Sequence, residues 1–181
     1  PDGKMYSRML GGNLVRIDVE NARGENLTNG DLVGTKDGSA YGLVFDPQDE
    51  NVFYFSNNDK HCIYKYDLRT KECACWAGQE GKSGYLDGPI GQAMFNKPGQ
   101  MCVDSEGNII LTDTENHCIR KITMSTGYVS TLAGKPQNSG YVNGSAEDAQ
   151  FKKPLGICID NDDVMYIGDS ENRAIRRLAV E

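Results

Sequence analysis

The sequence is poor in the features that mark a membrane span, a nucleic-acid surface or a histidine-based metal site. No apolar stretch approaches the roughly 18 residues that cross a bilayer, so no membrane insertion of this segment is expected. Lys and Arg number 19 against 26 Asp and Glu, and they are scattered along the chain. The resulting net charge of −7 leaves no basic patch for nucleic acid or for an anionic membrane surface. Only two histidines are present, His61 and His117, too few for a centre built on several imidazoles. No Gly-x-Ser-x-Gly elbow occurs, which removes that form of serine nucleophile. No window carries the periodicity of a long amphipathic helix.

What the chain has instead is glycine, tyrosine and repetition. Its 21 glycines, nine tyrosines and many short apolar runs between turn residues favour an all-β fold. Ala77-Gly78, Gly84-Tyr85-Leu86-Asp87-Gly88 and Ala93-Met94-Phe95 recur 56 positions later as Ala133-Gly134, Gly140-Tyr141-Val142-Asn143-Gly144 and Ala149-Gln150-Phe151. Ile63-Tyr64-Lys65, Ile119-Arg120-Lys121 and Ile175-Arg176-Arg177 extend the same period to three copies. A fixed period of this kind marks a repeat architecture. Asp2-Gly3-Lys4-Met5-Tyr6 and Leu14-Val15-Arg16-Ile17 match later parts of the unit. The chain is thus expected to open partway through a copy, with residues before Pro1 belonging to the protein. The units divide as a partial copy over 1–40, whole copies over 41–97 and 98–153, and a partial copy over 154–181.

Each unit reads as four short antiparallel strands and a long connector. Met101-Cys102-Val103 is continuously apolar, as suits a central strand buried on both faces. Asp104-Ser105-Glu106-Gly107 has type I turn chemistry, so Asp46, Asp104 and Asp160 are read as turn residues rather than catalysts. Asp113 to His117 makes a polar turn, and the two histidines fall there at equivalent, exposed loop positions. Gly88-Pro89 and Ser145-Ala146-Glu147-Asp148 predict a short helical turn in each connector, pinned by Phe95 and Phe151. The six cysteines follow the repeat, Cys62 with Cys118 and Cys102 with Cys158, and are expected to be buried free thiols. Cys73-x-Cys75 is read as two residues on one face of a strand rather than half of a metal site. A four-stranded unit cannot bury both of its apolar faces alone, so the units must stack radially into a β-propeller.

These residues resemble the NHL-repeat family. The resemblance is carried by Lys97-Pro98-Gly99-Gln100-Met101-Cys102-Val103-Asp104, Gly107-Asn108-Ile109-Ile110-Leu111-Thr112-Asp113 and Asn116-His117-Cys118-Ile119-Arg120-Lys121-Ile122, and again by Lys153 to Asp160 and Tyr166 to Leu178. The connector looks like the long-connector subtype found in bacterial surface proteins with an IPT/TIG domain. The resemblance implies a portion of a six-bladed propeller and a place in the cell envelope or outside the cell. The function expected is a non-catalytic module for a protein or carbohydrate ligand, with no cofactor, catalytic residue or metal ligand nominated. The ligand-binding candidates are Tyr85, Asp87, Tyr141 and Asn143, whose aromatic faces and adjacent polar groups suit such contacts. Two alternatives stand beside this reading: a metal-dependent propeller hydrolase, lactonase or lyase, and a structural spacer.

Overall fold

The computed structural model describes residues 5–8, 14–27 and 41–179. The expected repeat start at Asp2-Gly3-Lys4, the 28–40 part of the first unit and residues 180–181 lie outside the described residues. Among the described residues, four antiparallel sheets follow one another in sequence order. The first holds β1 (Met5–Arg8), β2 (Leu14–Asp18) and β3 (Arg23–Asn26), in that order. The second runs β4 (Leu43–Phe45), β5 (Val52–Asn57), β6 (Cys62–Asp67) and β7 (Cys73–Ala77). The third contains β8 (Gly88–Pro89), β9 (Pro98–Val103), β10 (Ile109–Asp113), β11 (Cys118–Thr123) and β12 (Tyr128–Ala133), in the order β8-β12-β11-β10-β9. The fourth is β13 (Pro154–Ile159), β14 (Met165–Asp169) and β15 (Ala174–Leu178).

Side chains on a strand alternate between the two faces of its sheet, and here both faces are buried. In β10, Ile109 and Leu111 enter a core shared with the second sheet, among Val52, Tyr54 and Phe95. Ile110 between them enters a core shared with the fourth sheet, among Phe151, Ile157 and Ile167. A third core, of Leu14, Phe53, Phe55, Cys62, Tyr64 and Tyr66, joins the first sheet to the second. This two-sided burial is why the strands read as continuous apolar runs rather than alternating ones.

β9, read from sequence as central, lies at the edge of its own sheet. It is covered because the first strands of successive sheets converge: Gln100 Oε1 accepts from Ile157 N on β13 (3.3 Å), and Thr112 and Thr114 donate to Leu155 O (2.9 Å) and Pro154 O (2.8 Å). Gly99 makes this convergence possible. A Cβ there would stand 2.5 Å from Thr112 Oγ1 and 2.9 Å from Leu155 O, closer than atoms pack.

Each connector makes the short helical turn expected of it and nothing longer. Gly88–Pro89 pairs with Tyr128 and Val129 on β12 as a short strand, and only one turn follows, with Gln92 N and Ala93 N both donating to Pro89 O. In the next connector Ser145 Oγ accepts from Asp148 N at 3.2 Å, so the capping contact forms, but Asp148 N and Ala149 N turn back to Ser145 O and no helix continues. Pairing of Leu86 with Met94 and of Val142 with Gln150 closes each connector on itself, which leaves no length for a helix.

Candidate functional site

Arg120, on β11 and 0% exposed, is the centre around which the first connector is built. Its Nη1 donates to Asp113 Oδ2 (2.7 Å) and Met94 O (3.2 Å), and its Nη2 to Asp87 Oδ1 (2.6 Å) and Leu86 O (3.0 Å). The guanidinium lies between two rings, 4.8 Å from the centroid of Tyr85 and 5.2 Å from that of Phe95, where cation–π attraction adds to the ion pairs. Arg176 repeats the arrangement. It donates to Asp169 Oδ2 (2.9 Å), Gln150 O (3.0 Å), Asn143 Oδ1 (2.7 Å) and Val142 O (2.7 Å), between Tyr141 (4.9 Å) and Phe151 (5.0 Å). We call each an arginine clamp.

All four sequence-nominated residues fall in the clamps. Tyr85 is half-buried, and its hydroxyl hydrogen-bonds Thr131 Oγ1 at 2.7 Å. Asp87 also accepts from Thr131 N at 3.1 Å. Tyr141 is 59% exposed, leaving ring surface open to solvent while its other face meets Arg176. Sequence reading missed Arg120, Arg176, Asp113 and Asp169. Asp113 was assigned to a turn, whereas it ends β10 fully buried and also accepts from Asn96 N (2.7 Å) and Asn116 Nδ2 (2.8 Å). Burial pushes its carboxyl up to about 6, against the opposing charge of Arg120. The available signal was the shared 56-residue spacing of Asp113 and Asp169, Arg120 and Arg176, and Phe95 and Phe151.

The remaining candidates serve the fold. Asp104 accepts from Asn108 N at 2.7 Å, Asp46 from Gln48 N at 2.8 Å and Asp160 from Val164 N at 2.9 Å, the turn role expected of them. His61 and His117 are half-buried rather than exposed loop residues. Each Nδ1 accepts the backbone N–H that opens the next inner strand, from Lys97 (3.1 Å) and Lys153 (3.2 Å). All six cysteines are free, but only Cys62 and Cys118 are buried and Cys158 is exposed. Cys158 points from the face of the fourth sheet that no described sheet covers. No three His, Cys, Asp or Glu side chains among the described residues are grouped to hold a metal ion. Two surface hollows flank the third sheet. One of about 250 Å³ is lined by Ser105, Lys121, Leu132, Asp163 and Met165, and one of about 350 Å³ by residues 131–136, Asn138 and Glu147.

Residues 95–122, which contain Phe95, Asp113 and Arg120 of the first clamp, match the model of the NHL repeat. The fold is that of an NHL-repeat propeller. NHL repeat-containing protein 2 of Gallus gallus is 30% identical over 152 residues, covering 83% of this chain and 19% of that protein. An auxiliary nutrient binding protein from Bacteroides thetaiotaomicron is 28% identical with a TM-score of 0.79, over 98% of this chain and 45% of that one. A gluconolactonase from Xanthomonas campestris shares the fold at 13% identity and a TM-score of 0.69, over 98% of this chain and 55% of that one. The chain therefore spans about one fifth of this curated relative and about half of these solved structures.

Proposed function

We propose that the chain is part of a non-catalytic NHL propeller that binds a protein or carbohydrate ligand, placed at a bacterial cell surface. In this reading the four sheets are successive blades, whole over 41–97 and 98–153 and partial over 1–40 and 154–181, within a ring of six. The supporting observation is how the polar groups are used. The clamp carboxylates are held by arginine and amide donors, and the histidine Nδ1 atoms by backbone N–H groups. Among the side chains that the connectors expose are large apolar and aromatic ones, Leu86 at 47% exposure, Val142 at 43% and Tyr141 at 59%, set beside polar neighbours such as Lys82, Asn143 and Glu147. An aromatic face held rigid from behind suits stacking on a sugar ring or an apolar peptide side chain. The likeness to a nutrient-binding protein at 28% identity lends this reading support.

Tyr141 and Asn143 form the more open copy of the ligand surface, and Tyr85 and Asp87 the more closed one. On glycan and peptide arrays, Tyr141→Ala is expected to lose the signal that the parent chain gives. Equal binding by a folded Tyr141→Ala variant would reject this surface.

A further inference from the structure

The second sheet departs from the clamp and puts sulfur in its place. Where the third sheet has Arg120, Cys118 and Thr131, the second has Tyr64, Cys62 and Cys75, each 56 positions earlier. Cys62 opens β6 and is 0% exposed, while Cys75 on the neighbouring strand β7 is half-buried. The register pairs Ile63 with Ala77 and Tyr64 with Cys75, and shifts between them at Trp76. Both cysteines pack into the core shared with the first sheet.

Gly78 brings the two cysteines together: Cys75 Sγ donates to Gly78 O at 3.7 Å, and a Cβ on Gly78 would lie 3.2 Å from Cys62 Cα, so each thiol influences the titration of the other. The neighbouring Cys62 thiol holds Cys75 below the usual thiol range. Burial instead pushes Cys73 up to about 11 and Cys102 up to about 12. The Tyr64 hydroxyl, next to Cys62 and buried, completes no hydrogen bond. It is a spare donor for any anion that forms beside it.

We propose that Cys75 and Cys62 are a redox pair, in which Cys75 reacts with a hydroperoxide and Cys62 then closes a disulfide between β7 and β6. In the first step the Cys75 thiolate attacks a peroxide oxygen. The S–O bond forms as the O–O bond breaks, the sulfur is oxidised by two electrons to a sulfenic acid, and the departing alkoxide takes a proton. In the second, Cys62 loses its proton and attacks the Cys75 sulfur. The S–S bond forms as S–O breaks, and hydroxide leaves as water. Two thiols and one hydroperoxide thus become one disulfide, one alcohol and one water.

Diagonal neighbours on adjacent strands have Cα atoms about 7–8 Å apart, and a disulfide accepts up to about 7 Å. Closure falls at a bulge, where the ladder is already interrupted and the strands can adjust. The third sheet cannot do this chemistry, because Thr131 stands where Cys75 does.

The test treats the folded parent chain with one equivalent of tert-butyl hydroperoxide, then maps alkylated and linked peptides by mass spectrometry. Two of the six thiols are expected to disappear, with the Cys62 and Cys75 peptides joined and lighter by two hydrogens. Cys62→Ser should leave a sulfenic acid at Cys75 that a cyclic 1,3-diketone labels, and Cys75→Ser should abolish the link. The proposal is overturned if Cys62 and Cys75 remain alkylatable while the exposed Cys158 is consumed. That peptide map uses the unmutated protein and is decisive even if a variant fails to fold.

Discussion

The second and third sheets share the bulge between their last two strands and the turn that carries His61 or His117, yet they fill one buried position with opposite chemistry. Arg120 in the third sheet is Tyr64 in the second, and its partner Asp113 is Asn57. Both exchanges remove a charge, one of each sign. A carboxylate left at position 57 would be buried without its guanidinium, since Asn57 is 0% exposed, and an uncompensated buried charge is among the most destabilising of single changes. The clamp is therefore a replaceable part of the sheet, but it is replaced as a pair.

Breaking the clamp on one side only should give the largest effect. Arg120→Met keeps the buried volume while leaving Asp113 unpaired, and is expected to cost about 3–5 kcal/mol in urea denaturation. The next effect probes what the two sheets have in common. Gly78 and Gly134 sit at φ of +94° and +97°, and a Cβ on Gly134 would lie 3.0 Å from the Phe151 ring and His117 O. Gly134→Ala should cost about 1–3 kcal/mol, the scale of a strained backbone residue, and should do so without touching the clamp charges.

The smallest effect separates the sheets by pH. Burial holds His61 below its ordinary value near 6.5, with Lys97 acting in the same direction. The folded chain thus favours the neutral ring. Its contribution is present above about 6.5 and is lost as pH falls through the folded value. Asp113 runs the other way: raised to about 6, it favours the protonated form in the fold, and that contribution is lost as pH rises through about 6. The measurable quantity is therefore a difference. The urea midpoint of His61→Gln should fall less between pH 7 and pH 5 than that of the parent chain, and an equal fall would show that the His61–Lys97 contact carries no pH dependence.

The strands were legible in the sequence because the 56-residue period superimposes Ile63, Ile119 and Ile175, and because turn aspartates such as Asp104 need only local partners. The clamps were not, since Asp87 and Arg120 are 33 residues apart and meet only when the connector folds over β11. Gly88–Pro89 was read as a helix start because Pro suits the first turn of a helix, but its pairing with β12, some 40 residues on, is invisible to local propensity. Exposure was likewise misread at Cys158. Ile119 and Ile175 occupy the same position in their units, yet Ile119 packs against Ala149 and Phe151 while Ile175 is 76% exposed. Burial in a repeat fold belongs to the neighbouring unit as much as to the residue.

The most direct test of the paired replacement is a double-mutant cycle in urea with Arg120→Met, Asp113→Asn and both together. The account predicts that the double variant, built on the neutral pattern of the second sheet, is more stable than Arg120→Met alone. A double variant whose loss equals the sum of the two single losses would contradict it.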